Sequence, residues 1–63
     1  DLILLKSNRF YGALCVEMKK PGEYQRPVQK EWQKECEANG NKYIVVRSLD
    51  EFIKVVDNYL KDI

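Results

Sequence analysis

An α/β (α+β) fold in the order ββαβα, with a mixed sheet, is predicted by three observations. Three short apolar or alternating runs have strand length. A Pro-initiated segment and a second, strongly periodic segment have helical spacing. The turn-forming residues fall between these runs and not within them. With 63 residues the chain is one domain, and a core of this size is thin.

Leu2-Ile3-Leu4-Leu5, closed by Lys6, is too short for a helix and reads as a buried strand. Ser7-Asn8-Arg9 supplies turn chemistry. Tyr11 to Lys19 is the second strand: Leu14, Val16 and Met18 alternate with Cys15, Glu17 and Lys19. A short turn between the two makes an antiparallel hairpin. Pro21-Gly22 and Arg26-Pro27 bound a loop, and Pro27 suits the first position of a helix. Val28, Trp32 and Cys36 recur every four residues, which marks one helical face, expected to be core. Asn39-Gly40 ends that helix. Tyr43-Ile44-Val45-Val46, within Lys42 to Arg47, is a third strand. Ser48 and Glu51 form an S-x-x-E capping box. Phe52, Val55, Val56, Tyr59, Leu60 and Ile63 then line one face of a second helix. A strand-helix-strand passage from 13 to 47 implies a parallel pair with a right-handed crossover.

Composition narrows the chemistry. Lys and Arg number 11 and Asp and Glu 10, a net charge of +1, so no global basic excess marks a nucleic-acid binder. There is no histidine, which removes His-metal sites and Ser-His or Cys-His pairs from this chain. Cys15 and Cys36 fall inside regular elements and are expected as buried free thiols, not a disulfide. No run approaches the ~20 apolar residues of a membrane span. The chain opens on a strand-like segment without Met, as expected of a processed chain or part of a longer one.

Glu17 and Lys19 share one strand face, about 6–7 Å apart along the strand. A carboxylate holds a hard divalent cation, and a neighbouring lysine orients water or offsets phosphate charge. By spacing alone the plainer reading, an ion pair on a solvated strand face, is the stronger. Asp1 precedes the first strand, so antiparallel pairing brings it toward the end of the second, near Glu17 and Lys19. A frayed terminal Asp with no role is an equal reading. Gln29 lies in the first turn of the helix after the loop, whose N-terminus the crossover returns toward the end of that strand; an exposed helical Gln is its commoner fate. Lys20, Arg26, Lys30 and Lys34 are candidate phosphate contacts, with Lys30 and Lys34 on one helix face. Glu31 and Glu35 interleave with them, which fits a solvated face as well.

These residues, in this order, resemble one family. Asp1 before a strand, Glu17-x-Lys19 ending the next, Pro21-Gly22, Gln29 opening a helix, Asn39-Gly40, then Tyr43-Ile-Val-Val-Arg-Ser-Leu-Asp-Glu and an amphipathic helix look like the VRR-NUC (virus-type replication-repair nuclease) family of the PD-(D/E)XK nuclease superfamily. The resemblance covers almost the whole chain. It implies a restriction-endonuclease-like core, a single VRR-NUC-like domain over 1–63. The family's usual N-terminal helix and first strand are missing, as is the proline that normally precedes the family's Asp, so the domain is expected to be incomplete at its N-terminus.

The resemblance further implies a Mg²⁺- or Mn²⁺-dependent endonuclease acting on four-way junctions or flaps in DNA, as a homodimer in the junction-cutting members. It is expected in the cytoplasm of a bacterium or a virus-infected host cell. Asp1 and Glu17, with the Met18 backbone carbonyl, would hold the metal. Lys19 would be the catalytic lysine and Gln29 would support the site. The alternatives are a catalytically silent nuclease-like module that binds DNA or a protein partner, and a small α/β interaction module with no nucleic-acid role.

Overall fold

The computed structural model describes residues 1–62; the expected packing of Ile63 lies outside the described residues. The elements follow the expected order: β1 (Leu2–Leu4), β2 (Leu14–Met18), α1 (Pro27–Ala38), β3 (Lys42–Val46) and α2 (Leu49–Lys61). The sheet order is β1-β2-β3. β1 runs antiparallel to β2, with Ile3 opposite Cys15, and β3 runs parallel to β2, with Cys15 opposite Tyr43. The sheet is therefore mixed.

Strand alternation divides the chain into two different interiors. Leu14 and Val16 point to the face covered by α2, where they pack with Val46 and Tyr59 and with the partly buried Leu4, Tyr11, Ile44, Phe52, Val55 and Val56. Cys15 and Glu17 point to the opposite face, which α1 covers through Cys36 and the glutamines described below. The first interior is the hydrophobic core. The second is built largely from polar groups.

Both strands of the expected hairpin are shorter than their apolar patterning suggests, and no short turn joins them. Residues 5–13 instead form a loop whose polar groups are satisfied elsewhere. The Asn8 side-chain oxygen accepts from the Phe10 and Tyr11 N–H groups at 2.9 and 2.8 Å. The Tyr59 hydroxyl donates to the Lys6 carbonyl at 2.6 Å, and the Asn8 side-chain amide donates to the Tyr59 carbonyl at 3.1 Å. Arg9 N–H donates to the Asp62 carbonyl at 2.6 Å. The C-terminal end of α2 thus captures backbone that a longer ladder would have used.

Helix α1 starts at Pro27, and the Gln29 side-chain oxygen accepts the Arg26 N–H at 2.9 Å. It ends before Gly40, whose φ of +81° is open to glycine without a Cβ penalty. Its expected apolar face is not the buried one. Val28 and Trp32 remain 48% and 57% exposed, while Gln29 is buried. The helix is turned so that Gln29, Gln33 and Cys36 face the sheet, where Gln25, in the loop before the helix, donates to the buried Glu17. Helix α2 packs Phe52, Val55, Val56 and Tyr59 of its expected face on the core while Leu60 stays 39% exposed, and the Ser48 hydroxyl accepts the Glu51 N–H at 3.1 Å. The reciprocal half of the box is displaced by one residue, since the Glu51 carboxylate accepts from Arg47 N–H at 3.0 Å rather than from Ser48.

Candidate functional site

Glu17 sits one residue from the end of β2, directed under the first turns of α1, with no exposed surface at all. Full burial of a carboxylate costs several kcal/mol unless its oxygens find donors. Oε1 has two: the Tyr43 hydroxyl on the neighbouring strand, and the Gln25 side-chain amide at 3.1 Å. Oε2 is buried and accepts no hydrogen bond. The Lys19 ammonium stands 3.8 Å from Oε2, its side chain 9% exposed. Glu17 and Lys19 are thus not the solvated surface pair that spacing alone favours. They form a sequestered pair with one carboxylate oxygen still open.

Gln25 organises the polar interior. Its amide is aimed at Glu17 Oε1, at Gln33 Oε1 (3.1 Å) and at the Gln29 carbonyl (3.5 Å). Gln25, Gln29 and Gln33 recur every four residues, a periodicity visible in the sequence but not singled out there. Tyr43 is the other residue that sequence reasoning missed. Its parity in β3, opposite Cys15 in a parallel ladder, directs it to the Glu17 face. Burial, reinforced by the hydrogen bond to Glu17, pushes the Tyr43 phenol up to about 12, so it keeps its proton at neutral pH and donates it in that hydrogen bond.

The remaining expected residues are placed as follows. Asp1 is exposed, and the β1–β2 register, which pairs Leu2 with Val16, carries it opposite Glu17 on the same face of the sheet. It lines a 240 Å³ cleft with Ile3, Cys15, Trp32, Cys36 and Tyr43. Met18 lies between Glu17 and Lys19, so its carbonyl belongs to the same chain end. Gln29 spends its side-chain oxygen on the Arg26 N–H and reaches the site only through its own carbonyl and Gln25. Lys20, Arg26, Lys30 and Lys34 are all exposed, and none is in an ion pair among the described residues.

A surface hollow of 430 Å³ adjoins Lys19 and is lined also by Lys20, Glu23 and Arg47. Arg47 donates to the Lys20 and Glu23 carbonyls at 3.0 and 2.7 Å, fastening the turn that Gly22 makes with φ +85°. The Lys20 N–H on the Glu23 carboxylate, helped by the charges of Lys19, Lys20 and Arg47, holds that carboxyl below its ordinary value. Cys15 and Cys36 are half-buried free thiols in contact, with Sγ atoms 2.9 Å apart. Burial, then the bond to Cys15, pushes the Cys36 thiol up to about 12.

The donor set suits a hard cation. The buried Glu17 oxygen that lacks a donor, the Asp1 carboxylate across the ladder and the Met18 main-chain carbonyl are all oxygen ligands. No cluster of three or more Cys, Asp or Glu suited to a metal occurs among the described residues, so water would have to complete the shell. No helix among them is long and apolar enough to cross a membrane. In comparisons with known proteins, no family model, curated protein or solved structure matches this chain.

Proposed function

We propose that this chain carries the restriction-endonuclease-like catalytic core of a metal-dependent DNA endonuclease of VRR-NUC type, cutting branched DNA as a homodimer. The observation that carries the reading is the Glu17–Lys19 pair: a carboxylate with no exposed surface, one oxygen without a donor, and an ammonium 3.8 Å from that oxygen. A structural ion pair gains little from such burial, since desolvation offsets the attraction. A site that binds a cation and then a phosphate uses both charges.

In this reading Asp1, Glu17 and the Met18 carbonyl would hold Mg²⁺ or Mn²⁺. When bound, the ion supplies Lewis-acid polarisation of the phosphate and a lowered pKa for water. Lys19 orients the attacking water and offsets the charge that grows on the phosphoryl oxygens. Tyr43 and Gln25 hold Glu17 Oε1, which leaves Oε2 as the free ligand atom. Gln29 supports the site by fixing the start of α1. Lys20, Arg26, Lys30 and Lys34 bind the phosphate backbone, with Lys20 on the rim of the hollow beside Lys19.

One observation favours a second reading. Glu17 is wholly covered by its neighbours, as in a nuclease-like module that binds DNA or a protein without cutting. Incubation of branched DNA with the chain and Mn²⁺ separates the two. The nuclease reading expects cleavage, with Lys19→Ala retaining DNA binding and losing roughly 10²–10³ in rate. Lys19→Arg rescues poorly, because a guanidinium neither fits the space nor yields a proton at neutral pH. A fully active Lys19→Ala variant refutes the assignment. DNA binding without cleavage by the unaltered chain identifies the silent module.

A further inference from the structure

Cys15, the second residue of β2, and Cys36, in the third turn of α1, are 21 residues apart in sequence. Their sulfur atoms are 2.9 Å apart, both thiols are free, and both border the cleft shared with Ile3 and Trp32. Ile3 and Trp32 are largely exposed, so a small thiol reagent has a route to the pair. A disulfide sulfur pair stands ~2.05 Å apart, and less than about 1 Å of movement separates these atoms from that distance.

The position of the pair gives a bond there a consequence. Among the described residues, every member of the hydrophobic core belongs to the sheet, the 5–13 loop or α2. Helix α1 contributes one buried side chain, Gln29, and leaves Val28 and Trp32 in solvent. It is therefore the element least held by apolar burial. A covalent link from Cys36 to Cys15 would fasten it at that weak interface. The loop so closed contains Glu17, Lys19, Gln25, Gln29 and Gln33 of the polar interior, with Tyr43 on the neighbouring strand outside it.

We propose that Cys15 and Cys36 form a reversible disulfide that fastens α1 to β2, so that the surrounding thiol–disulfide balance sets how firmly the site-bearing half of the fold is held. The oxidant is a small-molecule disulfide such as oxidised glutathione. The Cys15 thiolate attacks one sulfur of the oxidant and expels the first glutathione thiolate, giving a mixed disulfide. The Cys36 sulfur, as it loses its proton, then attacks the Cys15 sulfur and expels the second. The protein gives up two electrons and two protons, and the protons end on two glutathione thiols. In a reducing compartment the pair stays as thiols and closes only on oxidation. This inference is independent of the nuclease reading.

The test compares the reduced chain with the chain equilibrated against oxidised glutathione. Expected are an intact mass lighter by two hydrogens, a Cys15–Cys36 cross-linked peptide on non-reducing digestion, and a melting temperature raised by about 10 °C or more, lost again on reduction. Cys15→Ser and Cys36→Ser remove the redox response of the melting curve. Should either variant fail to fold, the mass and melting comparison on the unaltered chain decides alone. Two free, alkylatable thiols after oxidation, bonds only between chains, or a disulfide without a melting shift would each overturn the proposal.

Discussion

Tyr43→Phe removes one hydroxyl and tests the polar interior directly. In the folded chain that hydroxyl donates to Glu17 Oε1, and only Gln25, at 3.1 Å, shares the atom. Glu17 has no exposed surface, so water cannot replace the lost donor. A hydrogen bond to a buried charged group contributes about 1.5–3 kcal/mol. For a domain of this length that becomes a fall of about 6–24 °C in melting temperature. Thermal unfolding followed by far-ultraviolet circular dichroism measures it, with urea midpoints as an independent check. Combining the change with Glu17→Gln should give less than the sum of the two single losses, because each disrupts the same bond. A Tyr43→Phe variant that melts with the unaltered chain would show that the phenol does not hold the carboxylate, and the polar interior would have to be redrawn.

Three further outcomes are expected. Tyr43 has its folded value raised from 10.0 to about 12, so the stability it contributes is complete below pH ~10 and is lost as pH rises through about 12; urea midpoints should fall over that window more steeply for the unaltered chain than for Tyr43→Phe, and equal slopes would contradict the shift. Gln29→Ala deletes the acceptor of the Arg26 N–H at 2.9 Å and should cost about 1–2 kcal/mol in urea unfolding; an unchanged midpoint would remove Gln29 from the cap. Leu2, Ile3 and Leu5 are 53%, 66% and 86% exposed on and beside β1, the kind of open apolar edge that pairs with another chain; sedimentation equilibrium at micromolar concentration should give twice 7.5 kDa, and a stable folded monomer would refute the homodimer.

The element order was legible because periodicity and punctuation agreed. Ser48 before the Phe52–Val55–Val56–Tyr59 face foretold α2, and the alternation through Leu14, Cys15, Val16 and Glu17 foretold β2 and its two faces. Where the pattern misled, a longer-range interaction had prevailed. Trp32 and Val28 carry helical spacing, yet α1 turns them outward and sets Gln29, Gln33 and Cys36 toward the sheet, beside the Gln25 amide that donates to Glu17. The strand ends expected at Leu5 and from Tyr11 to Ala13, with the short turn between them, gave way to a loop tied to Tyr59 and Asp62, residues about 50 positions away that no local window contains. The nearness of Glu17 and Lys19 could be read from strand parity, but their burial could not, since it depends on α1 covering that face. The meeting of Cys15 and Cys36 needed both the crossover and the rotation of α1.

The measurement that bears most directly on the proposed function is isothermal titration of Mn²⁺ into the unaltered chain and into Glu17→Ala. Glu17 Oε2 is the buried oxygen without a hydrogen-bond donor, and its removal takes away the ligand atom on which the site is centred. Circular dichroism of the variant establishes that the fold survives. Binding of about one Mn²⁺ per chain, lost in the folded Glu17→Ala variant, is the result expected. Equal affinity in the two proteins would remove Glu17 from any metal site, and an absence of binding in the unaltered chain would contradict the metal-dependent nuclease outright.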